Sequence, residues 1–206
     1  MPKQKLINKK SIIIFLALVI LIIAGLIYLN NSKNKIILFE TSIGNFTVEM
    51  FDKTMPITTS NFEKHVEQGF YDNTIFHRVV KDFVIQGGDP TGLGVVSYAA
   101  EYHRIGDNEN KGTWKIPDEF TSDNQNNRGT IAMANSGKDT GGSQFFINLQ
   151  KNNFLDDKHP VFGRVVEGLE VVDAIGRVET NNDKPAEKVT IYSIKFINVR
   201  EINYSL

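Results

Sequence analysis

Two apolar patterns divide the chain. Residues Ile12–Leu29 are eighteen consecutive uncharged, mostly aliphatic positions, enough at ~1.5 Å per residue to cross most of a ~30 Å hydrocarbon core. Beyond Lys35 the apolar residues fall into short runs. KIILFET (35–41) and NFTVEMFD (45–52) flank Ser42-Ile43-Gly44 and predict a hairpin with one buried face. Pro56 opens a helix for which Thr54 is the candidate N-cap; Phe62, His65 and Val66 follow at helical spacing, and Gly69 ends it. TIFHRVVKDFVIQGGD (74–89) reads as two strands joined at Lys81-Asp82 and closed by Gly87-Gly88. GTIAMAN (129–135), SQFFINL (143–149), Pro160–Val166 and Lys188–Val199 are further strands, and Glu167–Ile175 is a second helix stopped by Gly176. Eight or so short strands with two helices predict a mainly β fold, a closed antiparallel barrel, because closure removes exposed edges.

Charge gives the long apolar run a direction. Lys3, Lys5, Lys9 and Lys10 are the only charged groups in the first thirty residues, so with a net charge of −1 the rest of the chain carries −5. Basic residues before an apolar span hold the N-terminus in the cytoplasm. The expected organisation is a cytoplasmic segment (1–11), a transmembrane signal anchor (12–29), a linker (30–35) and one extracytoplasmic domain (36–206). Cleavage and secretion is the alternative, although only the adjacent Ala24 and Gly25 are small near the end of the span. An acidic domain is a poor nucleic-acid binder. With no cysteine there is no disulfide, thiolate nucleophile or Cys-ligated metal, and an anchored, cysteine-free domain suits a bacterial envelope. Pro90–Lys115 has no sustained period and carries Tyr98, Tyr102 and Trp114; it reads as a mobile surface insertion.

Familiar catalytic motifs are missing. The histidines His65, His77, His103 and His159 lack metal-ligand spacing, no Gly-x-Ser-x-Gly elbow presents a serine, and SGKDTGG (136–142) lacks the ending of a phosphate-binding loop. Nucleotide binding and a metal or nucleophile mechanism are therefore not expected, and His65 reads as structural. What recurs is a set of non-ionising polar side chains beside aromatics: Gln86 with Phe83, Asn135 with Met133, Gln144 with Phe145 and Phe146, His159 with Phe154 and Leu155. Such a set suits a site that grips backbone amides and a compact apolar ring without moving protons. Arg78, among apolar neighbours, is costly to bury unless something polar meets it. Its bland alternative is an arginine that snorkels from a sheet edge, with Gln86 capping a strand.

The segments FHRVVKDFVIQGGD (76–89), GTIAMANSGKDTGGSQFFINL (129–149) and FLDDKHPVFGRVVEGLEVVD (154–173) resemble, in order and spacing, the defining blocks of the cyclophilin family of peptidyl-prolyl isomerases. The resemblance spans about residues 36–199. It implies an eight-stranded antiparallel barrel capped by two helices, an isomerase without a cofactor, and a monomer. It places the catalytic arginine on Arg78, and puts Gln86 and Asn135 on the substrate backbone, with Ala134 beside Asn135. Phe83, Val84, Phe146, Leu155 and His159 would wall the proline pocket, with Met133 behind them and Gln144 as the second glutamine. Val84 is a mild departure from the family pattern. Phe154 stands where many eukaryotic members have tryptophan, which implies weak cyclosporin binding. The stretch after Asp89 is longer than usual, so its role does not carry over. Implied partners are proline-containing peptides and folding exported proteins. The same groove could instead hold a proline segment without turnover, or serve a scaffold in an envelope assembly.

Overall fold

The first hairpin forms where the alternation places it. Strands β1 (Ile36–Thr41) and β2 (Asn45–Met50) pair antiparallel, and Phe39 lies opposite Phe46 with the rings stacked 4.5 Å apart. The computed structural model describes Leu16 and residues 18–20, 34–97, 99–100 and 115–197. The chain divides into two units, Met1–Asn34 and Lys35–Leu206. In the first, Leu16 and residues 18–20 are helical, and no helix among the described residues is long and apolar enough to cross a membrane. The rest of the predicted anchor, the basic segment 1–11 and residues 30–33 of the linker lie outside the described residues.

In the second unit the remaining strands are β3 (Thr74–Phe76), β4 (Arg78–Val80), β5 (Val84–Gly87), β6 (Thr130–Met133), β7 (Phe145–Asn148), β8 (Val161–Glu167), β9 (Thr180–Asn181), β10 (Lys184–Pro185) and β11 (Val189–Ile197). Seven of them, with β1 and β2, form one antiparallel sheet of nine strands in the order β3-β11-β1-β2-β8-β6-β7-β5-β4. The expected count was eight. The difference lies at His77, which interrupts one run: its first half pairs with β11 and its second with β5. Because β3 and β4 are the two ends of the sheet and belong to the same stretch of chain, the sheet is a nearly closed barrel. β9 and β10 form a separate ribbon that the periodicity does not announce.

The interior is aromatic. Phe145 meets Phe39, Phe62, Tyr71 and Phe76 edge-on at centroid distances of 5.5 to 6.1 Å, the arrangement that ring quadrupoles favour. Two helices, α1 (Pro56–Glu67) and α2 (Leu169–Ile175), bury Phe62 and Val66, and Val172 and Ile175, in the same cluster. The predicted cap of α1 is corrected: Met55, not Thr54, is the N-cap, and no side chain of its own caps the helix. The Thr54 hydroxyl faces the Phe51 carbonyl instead. The free N–H groups of Ile57 and Thr58 donate to the Glu119 carboxylate at 3.1 and 3.0 Å, an anion at the positive end of the helix dipole. His65 is buried against Phe70 and Tyr71, at 4.4 and 5.7 Å between rings.

The stretch after Asp89 is not a mobile appendage where it is described. Asp89 is fully buried and accepts hydrogen bonds from Thr91 N–H and hydroxyl, both at 2.7 Å, and from Val96 N–H at 2.9 Å. Ala99 and Ala100 are buried, Ala100 N–H donates to Asn61 Oδ1, and the Lys115 ammonium donates to the Ser97 carbonyl. Tyr98, Tyr102 and Trp114 lie outside the described residues.

Candidate active site

Strand register assembles the outer face of the barrel. Arg78 pairs with Gln86, Gln86 with Phe146, Phe146 with Ala132 and Ala132 with Val161, a single row across β4, β5, β7, β6 and β8. Because side chains alternate, the neighbours Val79, Ile85, Phe145 and Ile131 point into the interior cluster while this row points out. The row grades from charged through polar to apolar. Val84, Ala132, Phe146 and Val161 form a second buried cluster, with Phe51, Phe83, Ala134 and Leu155 packed on it. It is separate from the core, and it forms the floor and walls of an apolar pocket.

Loops complete the walls. The 3-10 turn Asn153–Leu155 delivers Leu155 to the pocket and leaves Phe154 66% exposed, stacked on Phe83 at 5.9 Å. The His159 ring meets Phe146 edge-on at 5.2 Å. Its Nδ1 lies 3.1 Å from the Met133 carbonyl, which can only accept, so Nδ1 carries the hydrogen. Burial lowers the His159 pKa and favours that neutral ring. The Met133 side chain lies behind the wall, in the interior cluster, and its carbonyl faces the His159 ring.

The polar side is a relay. Gln144 Nε2 donates to the Val96 carbonyl at 2.9 Å, Gln86 Nε2 donates to Gln144 Oε1 at 2.9 Å, and Arg78 Nη1 donates to Gln86 Oε1 at 3.4 Å. The guanidinium is not buried, in agreement with the alternative of an arginine that snorkels from a sheet edge. Its side chain is 41% exposed at the groove rim, and its Nη2 lies 3.5 Å from Asp183 Oδ2. Asp183 sits at the tip of the β9–β10 ribbon, and its carbonyl accepts the Val79 N–H at 2.7 Å. Asn135 holds the Lys158 carbonyl with its side chain at 2.6 Å, while its own main-chain N–H and C=O make no hydrogen bond among the described residues. Cavities of about 320 and 560 Å³ flank it, one toward Gln86, Val96 and Gln144, the other toward Asp157 and His159.

The cyclophilin-type peptidyl-prolyl cis-trans isomerase model matches residues 36–196. The chain belongs to the cyclophilin family. Peptidyl-prolyl cis-trans isomerase CYP18-2 of Arabidopsis thaliana is 44% identical over 160 residues, covering 77% of this chain and 92% of the relative. Peptidyl-prolyl cis-trans isomerase-like 1 of Bos taurus is 44% identical over 154 residues, covering 74% and 86%. A cyclophilin-type isomerase of Cryptosporidium parvum, crystallised in the presence of the dipeptide Ala-Pro, has a TM-score of 0.72 at 28% identity, over 80% of this chain and 99% of that one. These relatives are eukaryotic and lend no support to the expectation of a bacterial envelope.

Three features of this cyclophilin's groove escaped the sequence reading. Phe51, just past β2, and Asp183, in the turn between β9 and β10, reach it from elsewhere in the sequence. The third is a set of buried asparagines behind the pocket. Asn124 holds the Val161 N–H and the His159 carbonyl, Asn126 holds Asp156, Asn148 holds Asn126 and Thr130, and Asn152 holds Asn148 and the Phe83 carbonyl. Burial pushes Asp156 up, but hydrogen bonds from Asn126 and Asn153 more than offset it and keep the carboxyl below its ordinary range. The clustering of asparagine in NQNNR (124–128) and NN (152–153) was the available signal.

Proposed function

We propose that Arg78, Gln86 and Asn135 carry out the prolyl isomerisation for which the family is named, on chains folding at the extracytoplasmic side of a membrane. Rotation of an X-Pro bond meets a barrier of ~18–20 kcal/mol from amide resonance. Catalysis requires tighter binding of the twisted amide than of either planar form. Twisting localises the lone pair on the prolyl nitrogen. Arg78 donates to that nitrogen, a bond that is weak in the planar amide and strong in the twisted one. Val84, Phe146 and Leu155 hold the ring, Asn135 offers its free main-chain groups to the peptide backbone, and Gln86 steadies the guanidinium. The acyl side then turns with no bond made or broken.

One observation carries this reading: the register row that sets Arg78 and Gln86 beside the pocket floored by Phe146. The Ala-Pro dipeptide used with the Cryptosporidium relative supports proline-containing peptides as the ligand class. Exchange NMR or a protease-coupled assay with an Ala-Pro peptide tests it. Arg78→Ala is expected to lower kcat/KM by about 2–4 kcal/mol of transition-state stabilisation with the fold intact, and Arg78→Lys to fail as well, because a point charge does not reproduce the planar fork. Near-wild-type turnover by either variant removes Arg78 from the mechanism; a folded wild type without turnover leaves a proline-binding module. The extracytoplasmic placement rests on the apolar run 12–29 behind four lysines. Carbonate-resistant membrane association with residues 36–206 protected inside vesicles of the expected orientation tests it.

A further inference from the structure

A cavity of about 320 Å³ is lined by Ile75, His77, Leu93, Lys184, Pro185 and Lys188, and His77 is the residue next to Arg78. The loop after Asp89 forms one wall. Gly92 and Gly94 take left-handed φ of +68° and +78°, and a Cβ on either would stand 3.0 Å from Ile75 Cδ1 or His77 Cδ2, so the loop backbone packs closely on Ile75 and His77 in a conformation that favours glycine. His77 is 8% exposed, yet its Nδ1 has no hydrogen-bond partner, a costly state for a buried polar atom. Leu93 is 70% exposed on the rim. Lys184 and Lys188 form no ion pair among the described residues, and no carboxylate lines the cavity. This cationic, apolar-floored hollow belongs to a domain that is acidic as a whole.

We infer that this cavity is a second peptide site, which takes an acidic side chain and a neighbouring apolar side chain from a segment of the same client chain that presents the proline. The inference rests on the isomerase reading only for the identity of the client. Lys184 and Lys188 attract the carboxylate, and Leu93 and Ile75 cover the apolar neighbour. An extended chain advances roughly 3.3–3.6 Å per residue, so a few residues past the proline suffice to pass Arg78 and reach it. Clients with acidic-apolar flanking segments are then captured more tightly than their neutral counterparts.

Two proline-free probes test the site on the full chain in detergent: a fluorescein-labelled Leu-Glu-Glu-Leu peptide and its Leu-Lys-Lys-Leu counterpart, with binding read by polarisation. The acidic peptide is expected to bind at least tenfold more tightly, to weaken as salt rises, and to lose at least tenfold in the Lys184→Glu/Lys188→Glu variant. That variant is expected to isomerise a neutral Ala-Pro tetrapeptide within twofold of wild type. Joining the acidic segment to the Ala-Pro peptide is expected to lower KM about fivefold in wild type and not in the variant. Equal binding of the two probes, survival of acidic binding in the charge-reversed variant, or displacement by inorganic phosphate at the peptide's own concentration would overturn the assignment. If the neutral peptide is not turned over while the acidic probe still binds, the isomerase reading fails and the site stands.

Discussion

Glu63 gives the sharpest test of the energetics. It lies on the buried side of α1, 8% exposed, and its Oε2 is paired with the Lys35 ammonium, while Asp52 Oδ2 accepts the Lys35 N–H at 2.8 Å. Burial first, and the neighbouring Asp52 second, push its pKa from 4.5 up to about 7, against the pull of Lys35. An acid whose folded pKa lies above its unfolded value stabilises the fold only while protonated. Its contribution is whole below pH 4.5 and is lost as pH rises through about 7. At about 1.4 kcal/mol per pKa unit the ceiling is about 3 kcal/mol; with Lys35 half exposed and solvent close by, about 1–2 kcal/mol is expected. Glu63→Gln keeps the shape and removes the titration. Urea denaturation of residues 31–206 at pH 5, 6, 7 and 8 is expected to show wild type and variant within about 0.5 kcal/mol at pH 5, and the variant more stable by about 1–2 kcal/mol at pH 8. Comparing the two at each pH cancels the other titrating groups. A difference that does not change with pH, or one that favours wild type at pH 8, would refute the reasoning.

Other expectations are simpler. His159 is neutral because burial lowers its pKa below the ordinary 6.5, so its contribution is present above pH 6.5 and is lost as pH falls through the folded value; kcat/KM followed by exchange NMR is expected to be flat from pH 7 to 9 and to decline in acid. Glu119→Ala is expected to destabilise the domain by about 1–2 kcal/mol through loss of the α1 cap, read as a lower urea midpoint with turnover intact. Asn152→Ala takes the donor from the buried Asn148 Oδ1 and leaves the Phe83 carbonyl with the Leu149 N–H alone; it is expected to cost about 1–3 kcal/mol and to raise KM more than it lowers kcat, which steady-state kinetics with the Ala-Pro peptide would show.

The barrel was legible because both of its signals are local. Alternation in 35–52 and 188–197 marks strands within a few residues, and the apolar spacing of 167–175 marks a helix. Features that depend on chain distant in sequence were not visible. Glu119 caps a helix some sixty residues earlier, and no window around Thr54 contains it. His77 breaks a strand because its two halves serve opposite ends of the sheet, a demand of closure and not of local propensity. For Arg78 the sequence left a buried partner and a snorkelling arginine both open, and the exposed guanidinium agrees with the second: Val79, the apolar residue beside it, faces the other side of the strand. The blocks that resemble cyclophilins supplied the residues of the groove, and register then explains why those residues meet. Asp183 and the asparagine set fall outside what either pattern could mark.

The two halves of the groove are held to different degrees, and the difference fits rotation about one bond. The walls around Phe83, Leu155, His159 and Val161 are tied by buried side-chain amides whose hydrogen bonds close on one another, so the pocket resists deformation when a ring enters. Among the described residues Arg78 has only long contacts, 3.4 Å to the half-buried Gln86 and 3.5 Å to the exposed Asp183. A stiff pocket keeps the prolyl ring as the fixed end of the rotating bond. In the proposed mechanism a donor held loosely in the free protein can settle on the nitrogen once its lone pair emerges, and it gains more from the twisted amide than from the planar one. Had the guanidinium been locked in place by short bonds to protein acceptors, those bonds would compete with the one that lowers the barrier.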